Sequence, residues 1–209
     1  MKIPLYLPNC KICNSDSFTW INLNDNWVEY KCSCGNDMSG PLDSSVTIGF
    51  KGLYRSEYEL NKNKDYMLSI LFSAFAFEWE ISHLYKKWIQ IDSLDRGEFL
   101  SSEKIEVALT KHQKIYDRIK LTGLLLHPQG FDGYARHDHE IYKTINNSFP
   151  SLSIETLIKD FEKNLFWPRN KILHDGMTDY DKNNAIKAYN IAYLGLVVLR
   201  SMDKYRRNN

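Results

Sequence analysis

All four cysteines of this 209-residue chain fall within its first 34 residues, as a C-x-x-C pair, Cys10 and Cys13, and a C-x-C pair, Cys32 and Cys34. None follows. Between the pairs, SFTWINL and WVEYKCSC carry aromatic and β-branched residues on either side of NDN, which is the pattern of a short β-hairpin. Four thiolates match the tetrahedral preference of one Zn²⁺, and Gly35 supplies the tight turn that a ligand knuckle needs. Four sulfurs leave no coordination position for water, so such a metal holds the fold and performs no chemistry. The alternative is four unrelated or disulfide-bonded thiols. Close pairs in a chain with no secretion signal favour the metal, although C-x-C is a less usual half-site than a second C-x-x-C.

Residues 1–50 are therefore expected to form a zinc-ribbon-like β module and residues 51–209 a helical bundle, giving a mainly α fold. The N-terminus, MKIPLYLPNCKIC, has no unbroken apolar stretch of the kind a secretory signal requires, so a cytoplasmic location is expected. The most apolar run, residues 66–77, is shorter than the roughly 20 residues that span a bilayer, and no membrane association is expected. A net charge of +1 neither marks nor excludes a nucleic-acid binder.

Beyond a polar stretch at residues 35–45, helical periodicity takes over. A long helix is expected from Asp65 to about Gln90, apolar nearly all round at first and thus central to a bundle. A second begins at Ser101 or Ser102 as N-cap and runs to Leu126, with Gly123 weakening its last turn. HPQGFDGY reads as a loop, followed by a helix near His137 to Asn147, another from about Ser153 through IETLIKDFEKNLF, and a last one from Asp181 to about Lys204.

PRNKILHDG, residues 168–176, does not look like core. Pro168 suits the first turn of a helix after a break at Phe166 or Trp167, and Gly176 suits its C-cap. Asn170 and His174, four apart, share a face, while Arg169 stands at the helix mouth. In the last turn the helix dipole favours a protonated imidazole by about 0.3–1 kcal/mol. Arginine binds phosphate oxygens bidentately and histidine moves protons near neutral pH, so the set suits phosphate chemistry. By residue type alone, an Arg and a His near a helix end are more often a cap and a surface pair than a catalytic site.

RNKILHDG, between a helix like SIETLIKDFEKNLF and one like DKNNAIKAYNIAYLGLVVLRSMDK, resembles the HEPN family of helical bundles, whose hallmark is an Arg followed by four to six residues, often beginning with Asn, and then a His. Here these are Arg169, Asn170 and His174. Asp175 separates His174 from Gly176, a departure from the usual H-G. FSAFAFEWEISHL is similar to the family's acidic helix, with Glu78 the better match and Glu80 the second.

The resemblance, over about residues 60–204, implies a metal-independent RNA endonuclease. RNA carries its own nucleophile, so an enzyme has to deprotonate the 2′-hydroxyl, stabilise the phosphorane and protonate the leaving 5′-oxygen. Arg169 would hold phosphate charge, His174 would act as base or acid, Asn170 would orient phosphate or imidazole, and Glu78 would position one of them. It further implies a homodimer whose cleft carries two copies of the motif, and a toxin or defence setting with an antitoxin or defence-system partner. The competing function is a non-catalytic module that binds RNA, a nucleotide or a partner protein.

Three other segments carry candidate binding residues. Trp20, Trp27, Tyr30 and Lys31 could stack or contact RNA, but serve more simply as the ribbon's own core. RHDHE, residues 136–140, reads as a solvated helix start rather than a metal site. KHQKIYDRIK, residues 111–120, reads as a solvated basic face, with phosphate binding as its alternative.

Overall fold

The computed structural model describes residues 10–13, 18–23, 27–41, 48–111, 114–138, 141–143 and 157–208. The fold is mainly helical, preceded by a three-stranded antiparallel sheet in the order β1 (Phe18–Leu23), β2 (Trp27–Cys32), β3 (Asp37–Pro41). The expected hairpin pairs Phe18 with Cys32 and Trp20 with Tyr30, with an irregularity between Trp20 and Asn22. The stretch expected to be a polar connector instead supplies β3, in which Met38 lies opposite Tyr30. Its Asp, Ser and Gly hid the strand, because pairing with β2 rather than intrinsic propensity makes it one. Tyr30 is buried in the same cluster as the helical core, with Met38 packed against it, so it offers no face for a base to stack on. Lys31 is exposed and pairs with Asp37 at 3.5 Å. The side chains of Trp20 and Trp27 lie outside the described residues.

α1 (Ile48–Tyr58) begins before the expected boundary at residue 50 and continues into a π-helical turn, Glu59–Asn63. Lys64, with φ 57°, reverses the chain, and Asp65 caps α2 (Tyr66–Asp95) by accepting the Leu68 N–H at 2.9 Å. α2 runs past Gln90 to Asp95, and α1, α4 and the last helix pack around it. That surround explains why its apolar residues are not confined to one face.

The helix expected from residue 101 to 126 is two: α3 (Ser102–Lys111) and α4 (Ile115–Leu126), with extended backbone at Lys114. No Pro or Gly marks the break, so the local code did not carry it. Ser101 is the cap of α3, its Oγ accepting from Lys104 N at 3.4 Å. Gly123 does not weaken α4. A Cβ there would stand 2.5 Å from Phe131 N, so glycine permits the tight packing of α4 on α5 (Gly130–His137). α5 occupies the segment expected to be a loop. His137, the expected start of a new helix, instead ends α5; Asp138 then accepts from Ile141 N at 3.0 Å, and residues 139, 140 and 144–156 lie outside the described residues.

α6 (Leu157–Phe161), a π-helical turn (Glu162–Phe166) and α7 (Trp167–Asp175) follow without the expected break before Pro168. A proline ring clashes with the carbonyl four residues back and removes one N–H; the wider π turn immediately before it accommodates that mismatch here. Gly176, at φ 63°, closes α7 with its N–H on Lys171 O. α8 (Lys182–Asn208) starts from a reciprocal cap, Asn184 N donating to Asp181 Oδ1 at 2.9 Å and Asp181 N to Asn184 Oδ1 at 3.1 Å. Among the described residues no helix is long and apolar enough to cross a membrane.

Candidate functional site

The π turn and α7 are laid against α2 by Phe77, whose ring stacks on Phe161 at 4.3 Å and leans on Phe166 at 6.0 Å. Glu78, the next residue on α2, consequently points toward the start of α7. There Arg169 Nη2 donates to Glu78 Oε2 at 3.0 Å and Nη1 to Asn170 Oδ1 at 2.7 Å. Its guanidinium also sits 5.7 Å from the Phe75 ring centroid, a cation–π distance. Residues 91 positions apart are thereby joined into one polar unit. Glu80 is not part of it: fully buried, it lies 3.0 Å from Arg200.

Glu78, Arg169 and Asn170 line a cavity of about 420 Å³ between α4, α6, the π turn and α7. Its apolar wall includes Ile119, Ile158 and Phe161, and its rim includes Lys114, Tyr116 and Trp167. Burial, the largest influence, holds the Glu78 carboxyl above the usual carboxylate range; the charges of Arg169 and Arg118 pull the other way. Arg169 Nε is buried and has no acceptor among the described residues. One ion pair and one amide therefore do not exhaust the guanidinium's donors.

His174 stands apart from this group. It is exposed in the last turn of α7 and does not line the cavity. Within one chain, Arg169, Asn170 and Glu78 come together and His174 does not join them. Leu173 and Met177, beside it in sequence, are exposed apolar residues.

No family model, curated protein or solved structure matches the chain.

Sequence reasoning passed over the cavity's rim. Lys114 and Tyr116 belong to the segment read as a solvated basic face, and only the break before α4 turns them toward Arg169. Trp167, expected only as a helix breakpoint, is 54% exposed at the cavity edge. A tryptophan next to Pro-Arg-Asn was the available signal.

The cysteines form a second, separate cluster. The four Sγ atoms lie within 4.8 Å of one another, with Cys10 to Cys34 at 3.6 Å and Cys13 to Cys32 at 3.4 Å. These distances exceed a disulfide bond, about 2.0 Å, and approach the edge of a tetrahedron with metal–sulfur bonds of about 2.3 Å, roughly 3.8 Å. All four thiols are free. Cys10 is drawn down to about 6 by the N–H groups of Cys13 and Ile12, and Cys32 is lowered by the N–H of Cys34, so the knuckle backbone favours the thiolate a metal needs. Gly35, at φ 92°, donates to Cys32 O at 2.8 Å and closes the second knuckle. The cluster is compatible with one structural metal ion held by sulfur alone.

Proposed function

We propose that the bundle is a HEPN-type endoribonuclease cleaving RNA by attack of its own 2′-hydroxyl, and that the thiolate cluster holds a structural Zn²⁺. The observation that carries the first part is the Arg169–Glu78 pair with Asn170 on the wall of a cavity rimmed by Lys114. Glu78 fixes the guanidinium, Arg169 stabilises the charge that develops on the phosphorane, and Asn170 orients a phosphate oxygen. A general base takes the 2′-hydroxyl proton, the 2′-oxygen bonds to phosphorus, and the 5′-oxygen leaves with a proton. The products are a 2′,3′-cyclic phosphate and a 5′-hydroxyl. His174 supplies the proton transfer, and its exposed position outside the cavity calls for a second copy of the chain to bring an imidazole to the phosphate. Exposed Leu173 and Met177 beside it are apolar surface available for such pairing. An antitoxin or defence-system partner would act on this same face.

Zinc fits the second site because a four-sulfur set with these separations suits a d¹⁰ tetrahedral ion. Metal analysis of the purified protein should find one zinc per chain.

The test is incubation of end-labelled RNA with purified protein, in EDTA at a level that leaves its zinc content unchanged. Cleavage giving cyclic phosphate ends is expected, with no cutting of DNA or of RNA carrying a 2′-deoxy nucleotide at the cut position. Arg169→Ala and His174→Ala should each lower the rate about 100- to 10,000-fold. The separation of His174 from the cavity also favours a second reading, a module that binds RNA without cleaving it. In that case both variants alter affinity and no product forms.

A further inference from the structure

A second groove lies behind α7. It encloses about 250 Å³ and is lined by Lys163, Asn164, Trp167, Tyr180, Asn184 and Lys187, together with Pro168. No carboxylate lines it. Lys163 and Lys187 are exposed and have no ion-pair partner among the described residues, although acids and bases are nearly equal in number across the chain. Among nearby acids, Asp181 caps α8, Asp160 accepts from the groove's own Asn164 at 3.4 Å, and Glu162 lines the Arg169 cavity on the other side of Trp167. Tyr180 is held by its hydroxyl on Pro168 O at 3.4 Å.

Trp167 borders both this groove and the Arg169 cavity. The residue is more than half exposed, and Lys171 Nζ lies 5.7 Å from its ring centroid. A continuous path therefore runs from Arg169 and Lys114, over an indole, to two free lysines and two amides. An aromatic platform between cationic sites is the arrangement that holds a single strand, bases stacking on the ring while phosphates meet the lysines. A duplex keeps its bases stacked inside and has no use for such a platform.

We infer that this groove is a binding subsite for single-stranded RNA adjoining the cleavage site, with Trp167 stacking an unpaired base and Lys163 and Lys187 holding the next phosphates. It rests on the nuclease reading for its meaning, but its test does not depend on cleavage. The full chain is titrated against a fluorescein-labelled, 2′-O-methylated single-stranded oligonucleotide, which cannot be cut, and anisotropy is recorded across a salt series. Trp167→Ala should weaken binding about 5- to 150-fold, while Trp167→Phe retains most of it. Lys163→Gln with Lys187→Gln should flatten the slope of log affinity against log salt by about 1.4, two contacts at about 0.7 each. A self-complementary duplex should bind more weakly than the single strand.

Unchanged affinity and slope in both variants would overturn the inference, and if Arg169→Ala still abolished cleavage the nuclease reading would survive alone. Weakened binding in a protein that never cuts RNA would keep the subsite and remove the nuclease. A polyglutamate peptide binding as tightly as the RNA would reassign the groove to an acidic protein partner. Loss of self-association in Trp167→Ala with unchanged RNA affinity would assign the indole to a contact between copies. Either result would overturn the inference.

Discussion

Replacing Arg169 with Met keeps an unbranched stem against Phe75 but removes the charge facing Glu78. At 3.0 Å two unit charges attract by about 1.4 kcal/mol in bulk water and by about 5.5 kcal/mol at an effective dielectric of 20. Both side chains are 22% exposed, so the pair lies between these limits, and the hydration both have lost opposes the attraction. A net loss of about 1–3 kcal/mol near neutral pH follows. Its pH dependence is the sharper expectation. Burial already holds the Glu78 carboxyl above its ordinary 4.5, and Arg169 is the chief influence restraining it, so the variant raises it further. A carboxyl whose folded pKa exceeds its unfolded value stabilises the fold in acid and loses that contribution as pH rises through the folded value. The deficit of Arg169→Met relative to the parent should therefore be smaller at pH 5 than at pH 7.5. Urea unfolding followed by circular dichroism at both pH values measures it. In a Glu78→Gln background the same substitution should cost less and show no pH dependence. Equal deficits at both pH values, or strict additivity in the double variant, would refute the coupling between the two residues.

Gly195→Ala should destabilise the protein by about 1–3 kcal/mol although alanine is the better helix former by about 1 kcal/mol, because its Cβ would meet Phe77 at 2.4 Å and Phe161 at 2.7 Å; thermal unfolding reads this, and since Phe161 lines the cavity, catalytic rate should fall with it. His174→Ala, at an exposed position, should leave the unfolding midpoint within about 0.5 kcal/mol of the parent while removing cleavage, which separates chemistry from stability. Cys32→Ser should lower zinc content well below one per chain and reduce the melting temperature, since the ribbon's Tyr30 is part of the main core. Asp203→Asn should cost about 1–3 kcal/mol at pH 7. Burial raises that carboxyl, but donors from Lys87, Trp88 and Arg207 more than offset it and bring it below 3.8, so the stabilisation is present above that pH and fades as pH falls through the lowered value.

What the residues determined by themselves was chiefly local. The cysteine pairs with Gly35 give two knuckles, and Asp65, Ser101, Asp181 and Gly176 begin or end helices where short-range hydrogen bonds or left-handed backbone demand them. The all-round apolar run of residues 66–77 foretells a central helix for the same reason, since each side has to be covered.

Tertiary structure decided the rest. β3 exists because β2 offers it a free edge, and α5 forms in a Pro- and Gly-rich stretch because Gly123 lets α4 come close. The π turn before Pro168 carries α7 onward where the proline alone announced a stop. Most consequentially, the sequence ranks Glu78 before Glu80 only by resemblance, whereas a rotation of two residues about α2 sends Glu78 to Arg169 and Glu80 to Arg200. Which carboxylate belongs to the cavity depends on how neighbouring helices are rotated, and that rotation is set by packing summed over the whole bundle rather than by any short string of residues.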